Sequence, residues 1–252
     1  ILNIPKTLRN LDNNFVTVYH SVLQNNKIFQ IYPTKIKKTQ IRDDLKIIYL
    51  STINIETNVE EKNIWENYKS QIIEDFTLID NKEFLEKIVP NSNDEVKKLT
   101  LYRKLKFLLR FEIIKNLKKN FHKQLNLIGN DWNFYSFNSL PSNYNIKKNK
   151  KLYEGNICLD LGCIEGSSSL YSRSNQIIES GGLIIQSFQC DGKNIWGNLH
   201  NKILFKNFPD LISLLEKLLN DKLYCSVLLE EIYQNFRGSN KSIEKSLDKI
   251  FI

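Results

Sequence analysis

The 252-residue chain contains no methionine and no alanine, and it is rich in asparagine, isoleucine and lysine. An AT-rich coding sequence produces this bias. Because a natural reading frame begins with methionine, the first residue, Ile1, indicates an internal fragment or a trimmed form of a longer protein. Hydrophobic residues make up 41% of the chain, which suffices for a sizeable core and excludes a disordered protein.

Cysteine and histidine are scarce as well. The four cysteines contain no CxxC pair, and the three histidines lie far apart in the sequence. Neither a zinc site nor a disulfide framework is therefore predicted. Cys158 and Cys163 flank the end of a predicted strand and could form a redox pair, but two buried thiols are the favoured interpretation.

Long apolar runs are also missing. No stretch approaches the roughly 20 residues of a membrane span, and no secretory signal opens the chain. The sequence predicts a cytoplasmic protein without a transmembrane segment, and it leaves peripheral membrane contact open.

The net charge of +8 would suit a nucleic-acid-binding protein. Only six of the basic residues are arginines, and the lysines are scattered apart from short runs such as 147–151. Codon bias explains this charge better, so no nucleic-acid partner is predicted. A basic nucleic-acid-interacting domain remains an alternative that requires the lysines to converge on one face.

Strands and helices alternate along most of the chain. The predicted strands are Ile47–Leu50, Gln124–Gly129, Ile157–Gly162, Leu183–Gln186 and Ile203–Phe205. The predicted helices are Val59–Phe76, Asp94–Phe121, the segment from the loop after Cys163 to Ser180, Leu211–Asn220, Tyr224–Phe236 and Ser242–Ile250. This alternation predicts an α/β fold, a Rossmann-like open parallel sheet with helices on both faces.

Three regions follow from this pattern. Residues 1–42, with strand-like pieces at 15–19 and 27–32, are interpreted as the tail of a preceding domain or a linker. Residues 43–220 form the sheet domain, and residues 221–252 form a helical C-terminal extension.

The loop after the third strand has the composition of an anion site. Gly166 allows close backbone approach, and the following Ser167, Ser168 and Ser169 offer hydroxyl and N–H groups where a helix starts. Because serine is also a favoured N-cap residue, a purely structural role remains open.

The helix that follows carries further candidates. At about 100° per residue, Arg173, Gln176 and Ser180 point one way, and Ser174 and Ile177 point toward the sheet. An arginine here can fork onto two phosphate oxygens, and a glutamine can bond ribose hydroxyls. Both could equally be ordinary surface residues.

The same region resembles a known family. The runs 157–162, 166–173 and 179–185 are similar to the C-terminal half of group-1-type glycosyltransferases of the GT-B fold, in particular the spore-maturation-protein-like variety. Asp131 and Trp132 resemble the end of a strand in that family, and the resemblance covers roughly residues 44–220.

The resemblance implies a hexosyltransferase-type enzyme that moves a sugar from a nucleotide-diphosphate sugar to a glycan or glycoconjugate acceptor. This half would bind the donor without an obligatory metal or further cofactor, and helix N–H groups with Arg173 would stabilise the departing diphosphate. Catalytic residues are not predicted, because residues 1–42 are too short for the acceptor domain. The implied donor-binding residues are Gly166, Ser167, Ser168, Ser169, Arg173, Gln176, Glu179 and Gly181.

The chain departs from the family pattern at the acidic position three residues after the arginine. Gln176 stands there, and Glu179 follows nearly one helical turn later. A second acidic residue expected after the next strand has only Asp191 as a loose candidate. The alternative function is therefore a non-catalytic nucleotide-sugar-binding or scaffold protein with the same fold.

Four other residues allow two interpretations each. Asp160 lies within an apolar strand and is either a site residue or a carboxylate at the strand's end that points outward. Trp132, Tyr135 and Trp196 could stack on a nucleobase, but packing roles are favoured.

Overall fold

The computed structural model of the protein describes residues 33, 35–89, 95–142, 145–162, 170, 172–189 and 192–237. In this part of the chain, one sheet contains β1 (Ile47–Leu50), β2 (Leu125–Ile128), β3 (Ile157–Asp160), β4 (Leu183–Ser187) and β5 (Leu204–Phe205). All neighbouring strands are parallel, and their order is β2-β1-β3-β4-β5. The predicted open parallel α/β sheet of Rossmann-like form is confirmed.

Helices fill the connections between these strands. The α-helices are α1 (Val59–Glu74), α2 (Lys82–Ile88), α3 (Glu95–Phe121), α4 (Ile146–Tyr153), α5 (Ser172–Glu179), α6 (Gly192–Trp196), α7 (His200–Ile203), α8 (Phe208–Asn220) and α9 (Lys222–Phe236). Short 3₁₀ helices cover Phe76–Asp80, Trp132–Tyr135 and Gly197–Leu199. Within the described residues, no helix combines the length and apolar character needed to cross a bilayer.

The strands at the centre of the sheet are buried on both sides. All four residues of β3 and the first four of β4 are buried. Since successive side chains of a strand point to opposite faces, helices must cover both faces. Asp160 bonds Ser174 of α5, and the next residue, Leu161, lines a cavity with Arg110 of α3. Helices α3 and α5 therefore pack on opposite faces.

The sheet order creates a fork at the carboxyl ends of β1 and β3. The chain passes from β1 to β2 on one side, and it then returns past β1 to build β3, β4 and β5 on the other side. Parallel α/β sheets bind ligands at such a switch point, in the crevice outside the carboxyl ends of the strands. A ligand site is therefore expected at the connections that follow β1 and β3.

Local signals fix where several elements begin and turn. Asn58 caps α1 in a reciprocal capping box, because its side chain accepts from Glu61 N at 2.8 Å and its own N–H donates to Glu61 Oε2 at 3.0 Å. Gly129 ends β2 with φ 149°, and a Cβ there would lie 1.9 Å from the Ser51 carbonyl oxygen. Only glycine fits this close approach between the chains leaving β1 and β2.

Segments on both sides of the sheet region belong to the same core. Helix α9 packs against β4 and α8, and the Phe236 ring meets Trp196 edge to face at 5.3 Å. Before β1, Lys37 N donates to the Glu179 carbonyl at 3.0 Å, and Arg42 N donates to the Gly155 carbonyl at 3.1 Å. Residues 37–42 and 222–236 thus pack on the sheet and its helices as part of the same domain.

The structure adds several helices that the sequence did not predict, namely α2, α4, α6 and α7. Helix α1 ends at Glu74, and a separate 3₁₀ helix starts at Phe76. Helix α8 starts three residues before its predicted start, because Asn207 caps it and Pro209 occupies its first turn. The strand-like pieces at 15–19 and 27–32 and the predicted helix at 242–250 lie outside the described residues.

Candidate functional site

The candidate site lies at the carboxyl ends of β1 and β3. Ser51 follows β1, and its carbonyl accepts a bond from Trp132 Nε1 at 2.6 Å. Leu161 and Gly162 follow β3, and Gly162 has a positive φ of 77°. The predicted site residues Gly166, Ser167, Ser168 and Ser169, which come next in the sequence, lie outside the described residues.

Helix α5 has the amphipathic arrangement that its sequence predicts. Ser174 and Ile177 are buried against the sheet, and Arg173 and Gln176 are half-buried on the outer side. The expectation for Ser180 is wrong, because this residue lies in the interior and its hydroxyl donates to the Gln176 carbonyl. Arg173 and Gln176 remain together on the accessible side of the helix, with Arg173 in its first turn.

Glu179 and Gly181 lie at the opposite edge of the sheet from Arg173. The Glu179 carboxylate pairs with Lys150 Nζ at 2.8 Å. The Gly181 carbonyl accepts bonds from Thr39 Oγ1 at 2.7 Å and from Gly155 N at 3.1 Å, just before β3 begins. Six residues of α-helix place Glu179 about 9 Å along the axis from Arg173. The structure therefore does not bring these two predicted residues together with Arg173.

Asp160 is the centre of a buried hydrogen-bond network. Its Oδ2 accepts from Ser174 Oγ at 2.6 Å and from Gln186 Nε2 at 3.1 Å, and its Oδ1 accepts from Gly162 N at 3.1 Å. Trp196 Nε1 in turn donates to Gln186 Oε1 at 3.1 Å. Because Asp160 is completely buried, it does not point outward. It joins β3, β4 and α5 and fixes the backbone of Gly162.

The other aromatic and thiol candidates have packing roles. Trp132 is fully buried and packs edge to face on Tyr49 at 6.2 Å, whereas Tyr135 packs on Phe111 at 5.3 Å. Burial, reinforced by the nearby charge of Asp160, raises the pKa of the Cys158 thiol well above its usual value. Such a thiol is unreactive. Cys163 and Cys190 lie outside the described residues.

A second group of charged residues meets the carboxyl edge from the α3 face. Lys106 Nζ pairs with Asp80 Oδ2 at 2.7 Å, and Tyr102 OH donates to Asp80 Oδ1 at 2.8 Å. One turn later, Arg110 Nη2 donates to the carbonyl oxygens of Leu161, at 3.4 Å, and Gly162. Lys106 and Arg110 are each only 6% exposed. A buried guanidinium therefore holds the backbone that follows β3 through hydrogen bonds.

A small cavity lies beside this group. Its volume is about 10 Å³, and its charged lining residues are Asp80, Lys106 and Arg110. Leu161 and Ser187, at the ends of β3 and β4, complete its walls together with aromatic rings. Arg110 Nε is buried without a hydrogen-bond partner. The lining of the cavity therefore combines apolar side chains with a charged group that includes the partly unsatisfied Arg110 guanidinium.

Sequence reasoning missed this second group. Lysine and arginine side chains of a helix are expected on its exposed face, but Lys106 and Arg110 are buried. The signal was present in their spacing, because Tyr102, Lys106, Leu109, Arg110 and Ile113 recur at three- and four-residue steps and share one side of the helix.

A larger cavity of about 200 Å³ lies away from the carboxyl edge, between the segment before β1, the end of α5 and helix α9. Its polar groups bond one another, since Lys38 Nζ pairs with Glu230 Oε2 at 3.0 Å and Thr39 bonds Gly181. We favour the carboxyl edge as the functional site, because it lies at the switch point of the sheet and Arg110 Nε is buried there without a hydrogen-bond partner.

Metal ligands do not cluster in the described residues, where no group of three or more histidine, cysteine or acidic side chains could hold an ion. Comparisons of the chain with protein-family models, with curated proteins and with solved structures gave no match.

Proposed function

We propose that this chain is the donor-binding half of a glycosyltransferase of the GT-B type, which transfers a sugar from a nucleotide-diphosphate sugar to a glycan or glycoconjugate. The observation that carries the proposal is the position of α5. This helix starts beyond the carboxyl end of β3, next to the β1–β3 fork, and carries half-buried Arg173 in its first turn.

The chemistry of the donor suits this position. When the sugar leaves, negative charge develops on the nucleotide diphosphate, and helix N–H groups with an adjacent guanidinium stabilise such charge. Arg173 can bond two phosphate oxygens at once, and Gln176, one turn along the same side, can bond a ribose hydroxyl. In this scheme the described residues bind and orient the donor. The catalytic base is not among the residues proposed.

Calorimetric titration with UDP, GDP and related nucleotides tests the proposal. We expect saturable binding that Arg173→Ala weakens by about 1.5–3 kcal/mol, or roughly 10- to 150-fold. Arg237→Ala is the matched control, because Arg237 is an exposed arginine at the end of α9. Absence of nucleotide binding, or equal affinity of the Arg173→Ala and wild-type proteins, would contradict the proposal.

One observation favours a second candidate, a nucleotide-sugar-binding protein without catalytic activity. Gln176 supplies no charge, and the carboxylate of Glu179 is engaged by Lys150 at the other edge of the sheet. No carboxylate of the described part of α5 therefore faces the proposed donor. In this case the protein would bind both the nucleotide and the intact donor sugar, but it would release no nucleotide diphosphate from the donor over long incubation with candidate acceptors.

A further inference from the structure

Arg110 carries a positive charge that no described acidic residue neutralises. Its nearest acidic neighbour in the cavity is Asp80, whose two carboxylate oxygens already accept bonds from Lys106 Nζ, at 2.7 Å, and Tyr102 OH, at 2.8 Å. The opposite charges of Lys106 and Asp80 neutralise each other. The group lining the cavity therefore keeps one excess positive charge, and that charge belongs to Arg110.

Burial makes this excess charge expensive. Arg110 is 6% exposed, and its Nε has no hydrogen-bond partner. A desolvated cation is normally paired with an anion and fully hydrogen-bonded, because dipoles alone do not replace its hydration. Among the described residues, the partners of Arg110 are the carbonyl oxygens of Leu161 and Gly162 and the ring of Phe107, whose centroid lies 5.8 Å from Cζ. None of these partners is an anion.

The cavity defines what the missing anion looks like. A volume of about 10 Å³ admits roughly one water-sized group, which is one oxygen atom of an anion rather than a whole phosphate. Phe76 and Phe188 supply apolar walls. A guanidinium N–H is a good donor to a phosphate oxygen in such surroundings.

We propose that Arg110 binds a negatively charged oxygen of a phosphate-type ligand at the carboxyl end of β3, on the face opposite α5. A diphosphate would then be held from both faces of the sheet, by Arg110 and α3 on one side and by Arg173 and α5 on the other. The identification of the ligand as a nucleotide diphosphate rests on the proposed function. The affinity of Arg110 for an oxyanion does not.

Calorimetry with inorganic pyrophosphate, inorganic phosphate and UDP, all at one ionic strength, tests this inference on the whole chain. The main variant is Arg110→Met, which keeps side-chain bulk and removes the buried charge. The control is Arg103→Met, which removes an exposed arginine from the same helix. We expect wild-type and Arg103→Met proteins to bind pyrophosphate equally, and Arg110→Met to bind it about tenfold or more weakly.

Two further measurements keep the inference testable if Arg110→Met folds poorly. Arg110→Lys keeps the charge but loses the fork of donors, so we expect it to bind pyrophosphate more weakly than wild type and to remain folded. Pyrophosphate should also raise the Tm of wild type above the value reached with sodium chloride at equal ionic strength. Failure of wild type to bind pyrophosphate, or equal binding by all the variants, would overturn the inference.

The inference and the proposed function can fail separately. Arg110-dependent pyrophosphate binding without any nucleotide binding would support the anion site and refute the nucleotide function. Nucleotide binding that depends on Arg173 but is unchanged in Arg110→Met would support the function and refute the role of Arg110. Tighter binding of UDP and pyrophosphate than of single phosphate would identify a diphosphate as the source of the bound oxygen.

Discussion

Replacing Asp160 by asparagine should destabilise the domain strongly, although the two side chains have the same size. Within the described part of the chain, the carboxylate accepts hydrogen bonds from Ser174 Oγ, Gln186 Nε2 and Gly162 N. An asparagine has a single acceptor oxygen, so its NH₂ group must face either Gly162 N or the Ser174 and Gln186 pair. Ser174 can reverse its hydroxyl, but the Gly162 N–H cannot turn into an acceptor.

Trp196 prevents the Gln186 amide from flipping to match an asparagine at position 160. Its Oε1 already accepts from Trp196 Nε1 at 3.1 Å, so flipping the amide would place two donors opposite each other. At least one buried donor is therefore left unsatisfied, and charged hydrogen bonds become neutral ones. Each unsatisfied buried group lowers stability by about 1–3 kcal/mol, and removal of the buried charge offsets part of this loss. We therefore expect Asp160→Asn to reduce the free energy of unfolding by roughly 2–4 kcal/mol.

Urea unfolding followed by circular dichroism measures this loss, and the Tm should fall by about 4–16 °C. Asp44→Asn is the control, since Asp44 is exposed and its pairing with Lys46 contributes little. The double variant Asp160→Asn with Trp196→Phe should lose less stability than the sum of the single variants, because Gln186 is then free to flip. Stability of Asp160→Asn within about 0.5 kcal/mol of wild type, or strict additivity, would refute the reasoning.

Three further outcomes follow from the same structure. Ser174→Ala should lose about 1–2 kcal/mol of unfolding free energy in urea titration, whereas Ser226→Ala, at an exposed hydroxyl of α9, should lose little. Gly129→Ala should unfold at a markedly lower urea concentration. A residue with a side chain at φ 149° loses roughly 1–3 kcal/mol of stability, and its Cβ would clash with the Ser51 carbonyl. A urea midpoint equal to that of wild type would show that this turn is not fixed. Burial, followed by the charge of Asp221, raises the pKa of the Cys225 thiol from 9.0 to about 11. The unfolded chain therefore loses this proton first as the pH rises, and the free energy of unfolding should fall between pH 9 and about 11. This fall should be shallower in Cys225→Ala, and an equal dependence of stability on pH in the two proteins would exclude the thiol as its source.

Most of the sheet was predictable because its strands are short, mainly apolar segments. Ile47–Leu50 is a strand in the structure with the predicted bounds. Helix α4 was missed, because the lysines of 147–151 conceal a buried side that consists only of Asn149 and Tyr153. One buried position per turn is too weak a pattern to distinguish a short helix from a loop.

The candidate site was only partly predictable for a different reason. The sequence correctly gave α5 an outer side with Arg173 and Gln176, since a helical period decides that. The spacing of Lys106 and Arg110 indicates the buried side of α3, but it could not reveal Asp80, 26 residues from Lys106, as the partner of Lys106. The pairing of the Glu179 carboxylate likewise depends on Lys150, which approaches from another helix.

The most direct test of the account is to locate a bound nucleotide diphosphate on the protein by backbone amide NMR. During titration with the tightest-binding nucleotide found by calorimetry, we predict the largest shift changes at Leu161, Gly162 and Arg173, at the carboxyl end of β3 and the start of α5. Changes centred instead on Thr39, Gly181 and Tyr233, which line the larger cavity, would contradict the account, as would a spectrum that no nucleotide alters.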